Sequence, residues 1–70
     1  MTELLIIKDG GDYFRVRQSF FERCPLNKAS VFPLDKADEA EDCCRRLRES
    51  GVSAKLMKLI LVEEPYEHME

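Results

Sequence analysis

The side chains able to do chemistry are few and scattered. They are three cysteines (Cys24, Cys43 and Cys44), one histidine (His68), and a Tyr-Arg-Arg series at Tyr13, Arg15 and Arg17. Cys43 and Cys44 are adjacent, and on a helix neighbouring side chains diverge by about 100°, so the pair does not converge on one metal ion. The separation of two to four residues between zinc-ligating cysteines is absent. Cys44 reads as a small core residue. Cys24 stands between Arg23 and Pro25. An exposed thiol beside a cation is the setting of a thiol-dependent carrier or sensor, because the thiolate is the reactive form and positive charge favours it. His68 lies in the last few residues, where nothing holds it in place for general acid–base work. Gly10-Gly11 lacks the lysine and the helix start of a phosphate loop and reads as a turn. No serine or cysteine has a neighbouring base to activate it. These features point away from an enzyme and call for no metal and no cofactor.

Tyr13, Arg15 and Arg17 recur every second residue, which puts them on one face of a strand. An aromatic ring beside two guanidiniums can stack a base and hold phosphates, so this face is a candidate nucleic-acid surface. A solvated hairpin face has the same composition, and no aromatic pair of the RNA-recognition type stands on a neighbouring run. The net charge of −3 argues further against it. That charge is uneven. Glu63, Glu64, Glu67 and Glu70 follow Val62 without any Lys or Arg, and the rest of the chain is close to neutral.

Seventy residues make one domain with a small core. No apolar run approaches the ~20 residues of a membrane span, and Met1-Thr2-Glu3 followed by four apolar residues is unlike a signal peptide. The expectation is a cytoplasmic protein. An odd cysteine count without an export signal argues against a disulfide framework.

The elements that must position these groups read as follows. Residues 3–8 (ELLIIK) form a short strand apolar on both faces. Asp9-Gly10-Gly11-Asp12 is a hairpin turn, since glycine tolerates positive φ. Residues 13–21 alternate, with Phe14, Val16 and Phe20 on the apolar side. Residues 22–28 read as a loop, and residues 29–34 as a third strand that Pro33 confines to an edge. A helix follows over residues 36–50. Asp35 is its N-cap, or else Asp38 paired with Glu41, acids fill its first turns and arginines its last. Ala37, Ala40, Cys44 and Leu47 make its apolar stripe, with Cys43 at the border. Gly51 suits a left-handed C-terminal cap, which brings Val52 back towards Leu47. Residues 52–62 are the last strand, and Pro65 closes it. The hairpin–strand–helix–Gly–strand order, carried by DEAEDCCRRLRESGVSAKL at residues 38–56, resembles small ferredoxin-like and peptidoglycan-binding SPOR modules without their second helix. It implies no residue roles.

The expected architecture is a small α+β, β-β-β-α-β two-layer sandwich spanning residues 1–64, with residues 65–70 a frayed acidic tail. One helix covers a mixed four-stranded sheet of order 3-2-1-4, with 1-2-3-4 as the alternative. The last strand returns beside the first through a right-handed crossover. One helix covers one side only. Leu4-Leu5-Ile6-Ile7 and Leu59-Ile60-Leu61-Val62 are apolar on both, so the far side keeps large aliphatic residues in water. The functional expectation is therefore a non-catalytic protein-interaction module. It forms a homodimer or docks on a protein partner through the face opposite the helix, with Leu5, Ile7, Ile60, Val62 and Tyr13 at the interface. A lid made of residues 22–28 or of the tail is the plain alternative. The nucleic-acid surface (Tyr13, Arg15, Arg17) and the Cys24 thiol are the competing readings.

Overall fold

The computed structural model describes residues 2–66. Five strands and one α-helix run in the order β1 (Thr2–Asp9), β2 (Asp12–Val16), β3 (Phe21–Cys24), β4 (Val31–Pro33), α1 (Ala37–Glu49) and β5 (Lys55–Leu61). Short 3-10 turns at Leu26–Lys28 and Leu34–Lys36 precede β4 and α1. The fold is α+β, one helix on one sheet, and the path through the sheet is β3-β2-β1-β4 with β5 on the other edge of β1. The apolar first strand is central, and the last strand lies beside it over its length, from Thr2↔Leu61 to Lys8↔Lys55.

Every neighbouring pair is antiparallel, where the sequence suggested a mixed sheet. The crossover survives in another form. β4 and β5 both run against β1, so they are parallel to each other with β1 between them, and α1 connects them. The second strand is also broken. Arg17 N–H donates to the Phe20 carbonyl at 2.8 Å, which closes a turn at Gln18-Ser19 and starts β3 at Phe21. Phe20 is therefore exposed in the turn, and Phe21 packs on the core in its place.

β2 follows β1 only through Lys8↔Tyr13 and Asp9↔Asp12 and then diverges. Ser30 fills the divergence. Its N–H donates to the Phe14 carbonyl at 3.0 Å, and its Oγ accepts from Val16 N–H at 2.8 Å. The chain then pairs Val31–Pro33 with Ile6, Leu5 and Leu4 of β1.

The helix ends as its sequence implies. Gly51 takes φ +95°, its N–H donates to the Arg48 carbonyl, and Val52 N–H donates to the Leu47 carbonyl at 3.1 Å. Those two bonds define a Schellman ending. Its start differs from the expected cap. Lys36 occupies the N-cap position and makes no side-chain cap hydrogen bond. The preceding 3-10 turn instead uses the Ala37 N–H, which donates to Leu34, so Asp35 and Asp38 are not needed as caps. Ala40, Cys43, Cys44 and Leu47 are buried. With Ile7, Phe14 and Ala54 they make the core, and Val16, Phe21, Phe32, Val52 and Leu56 pack around it.

Candidate functional site

Antiparallel partners point to the same side of a sheet, so the register sorts every residue to a face. Ile7 pairs with Leu56 and sits in the core under α1, and Leu5 pairs with Phe32 and Lys58. The helix side therefore holds Leu5, Ile7, Phe14, Val16 and Phe32. The open side holds Leu4, Ile6 and Lys8 of β1, and Tyr13 and Arg15 of β2. It also holds Val31 and Pro33 of β4, and Lys55, Met57, Leu59 and Leu61 of β5.

This corrects the expected composition of the open face. Ile7 is 1% exposed beneath the helix and is a core residue. Leu5 is half-buried on the same side. Ile60 pairs with Glu3, also on the helix side, and Val62 lies beyond the end of β5. Of the five residues expected there, Tyr13 alone is on the open face, where its ring lies under the Lys8 ammonium at 5.4 Å. The expectation of a greasy far face holds with a different set of residues. Ile6 is its centre and is 2% exposed, between its pairing partners Val31 and Met57. Around it Val31, Met57 and Leu61 are 45%, 43% and 43% exposed. Residues 22, 23 and 25–28 are exposed, as are residues 62–66. The frayed tail expected over residues 65–70 falls, from residue 67 on, outside the described residues, and His68 with it.

Four basic residues gather at the far edge of the sheet. Arg15, Arg17, Arg23 and Lys28 line an open cavity of about 350 Å³ together with Glu22 and Cys24. Two of the four cations are already engaged. Arg17 meets Glu22 at 3.0 Å, while Arg23 reaches Asp9 at 2.9 Å and Asp12 at 3.1 Å and stacks over Phe14. The hydrogen bond to Asp9, ahead of that to Asp12, raises the Arg23 pKa further. Tyr13 pairs directly with Cys24 and sits next to this cavity, so the residues of the nucleic-acid and thiol readings lie side by side. Cys24 is half-buried and Cys43 and Cys44 are buried, all three as free thiols. Burial raises the Cys43 pKa, partly opposed by Arg46. A second cavity of about 350 Å³ lies by the helix between Glu41, Arg45, Arg48 and Leu56. There the Arg48 Nε donates to the Ala54 carbonyl at 2.7 Å, tying the helix end to the start of β5.

Among the described residues no three His, Cys, Asp or Glu side chains gather as a metal site. No described helix is long and apolar enough to cross a membrane. Comparison with family models, with curated proteins and with solved structures finds no match to this chain, so its site is read from geometry alone.

Proposed function

We propose that this chain is a small non-catalytic, cytoplasmic protein-interaction module that docks through the sheet face opposite α1. The observation that carries the reading is the uncharged aliphatic surface around Ile6, with Val31, Met57 and Leu61 each more than two-fifths exposed. Contiguous apolar surface of this kind marks an interface more often than bare solvent contact. Burying a fully exposed large aliphatic side chain is worth roughly 1.5–3 kcal/mol, and these three are already more than half covered, so a partner covering them gains less than half of that at each. The test is binding of an apolar fluorescent dye to the dilute, folded chain. The parent binds dye, and Met57→Glu and Leu61→Glu reduce binding while leaving the circular dichroism spectrum intact. A parent that stays folded and binds no dye overturns the reading.

A second reading rests on the cavity at Arg15, Arg17, Arg23 and Lys28 beside Tyr13, a cationic groove next to an aromatic ring. It makes the chain a nucleic-acid binder. Its measure is retention of single-stranded RNA at low salt, lost in Arg15→Ala with Arg17→Ala. Absence of binding by the parent at low salt removes it.

A further inference from the structure

We infer that the occupant of the open face is a second copy of this chain, laid face to face with its strands antiparallel to those of the first. The inference rests on the docking reading above and adds the partner and its orientation.

The observation is how charge is distributed along the strands. The middle of the face, Leu4, Ile6, Val31, Met57 and Leu59, carries no ionised group. At one end Lys8 pairs across the sheet with Lys55, and Tyr13 lies next to Lys8 on β2, while Arg15, past the point where β2 leaves β1, is paired with Glu22. At the other end Thr2 pairs with Leu61, and the chain runs on into Glu63 and Glu64. At roughly 3.3 Å per residue these ends lie about 20 Å apart, some two screening lengths at physiological salt. Within one copy they do not neutralise each other.

Two copies facing each other are related by a two-fold axis lying between the sheets. An axis along the strands sets Lys8 and Lys55 against the same lysines of the second copy. An axis across the strands sets them against Glu63 and Glu64, at both ends at once. Only the second arrangement is complementary, and like charges held together cost affinity. The uncharged centre loses no ion's hydration in either case.

The outer edge of β5 offers another route, since β5 pairs only with β1 among the described residues. Antiparallel pairing of two such edges about their midpoint sets Lys58 opposite Lys58, which is unfavourable. The face itself is small. Three strands about 4.8 Å apart and about 20 Å long present roughly 300 Å² per copy, against ~800 Å² per partner in a standard complex. The dimer is therefore weak, and its charged ends matter to its balance.

The test is sedimentation equilibrium on the full chain from about 2 to about 200 µM, at salt below and well above the physiological screening range. The parent dimerises, and more weakly at high salt. Lys8→Glu with Lys55→Glu, and separately Glu63→Lys with Glu64→Lys, each weaken self-association about tenfold. An equimolar mixture of the two variants associates again, because both ends of the mixed dimer then carry opposite charges. Association that salt strengthens, or that the lysine variant leaves unchanged, overturns the antiparallel arrangement. A parent that is monomeric throughout yet still binds the apolar dye overturns the second copy as occupant and leaves the docking face standing. A monomer that binds no dye overturns both.

Discussion

A cysteine's reactivity follows from where its side chain ends, and the three here end in different places. Cys44 is 2% exposed beneath the sheet, Cys43 is buried beside it, and Cys24 is half-buried on the cationic cavity. An alkylating reagent is expected to modify Cys24 in the native chain and the other two only after unfolding, as read by mass spectrometry. Equal native rates at Cys24 and Cys44 would mean that α1 does not bury the face described. The same burial predicts a pH dependence. Desolvation raises the Cys43 pKa above its unfolded value, so the folded state holds the thiol proton more tightly. That contribution to stability is complete below the unfolded thiol pKa, near 8.5, and is lost as pH rises through the higher folded value. The urea midpoint of the parent is expected to decline above about pH 8.5 more steeply than that of Cys43→Ala, and parallel declines would refute it. At this scale the stripe Ala40, Cys44 and Leu47 was legible because helical spacing forces it. The open-face residues were not read correctly, although the signal was present. A two-residue turn at Gly10-Gly11 sets Lys8 opposite Tyr13. That register assigns Tyr13 to the side of Leu4 and Ile6, and leaves Ile7 with Phe14 for the core.

Elements with strong punctuation were readable, and those without it were not. Gly51 ends α1 in the left-handed region at φ +95°, and a Cβ built there meets nothing within 4 Å. The cost of Gly51→Ala is therefore backbone strain without any clash, about 1 kcal/mol in a urea melt. A neutral result would show that the chain readily leaves that conformation. The turn at Gln18-Ser19 carries no Gly, Pro, Asn or Asp, so the alternation of residues 13–21 runs through it and conceals the start of β3. The Ser30 joint is equally silent in sequence. One hydroxyl accepts the Val16 amide where β2 leaves β1, and that bond depends on residues 14 positions apart. The N-terminal cap was misread for a related reason. Asp35 has the right chemistry, but Pro33 directs the chain into a 3-10 turn that uses backbone groups in its place.

For the whole molecule the governing fact is that one helix covers one side of a five-stranded sheet. Counting faces from Leu4-Leu5-Ile6-Ile7 was enough to foresee this, because two-sided apolar strands require two covers. What the count could not supply was parity, which needs the register of real pairs. The consequence is a stability that depends on concentration. A ligand that binds only the folded state stabilises it by RT ln(1 + [L]/Kd), and a second copy acts as such a ligand. For a dimer with a Kd of about 10 µM, raising the chain to about 200 µM leaves roughly 15% of it as free monomer and adds about 1.1 kcal/mol. In a domain of this size each kcal/mol moves the thermal midpoint by about 4–8 °C, so the midpoint is expected to rise by about 4–9 °C between dilute and concentrated samples. Met57→Glu places a charge in the middle of the face, next to Ile6. It is expected to abolish that rise while leaving the dilute midpoint close to the parent's, because Met57 is already 43% exposed in the single chain. A substantial drop in the dilute midpoint would mean instead that the chain covers Met57 itself. A parent midpoint that ignores concentration would leave the aliphatic face in water and remove self-association as its purpose.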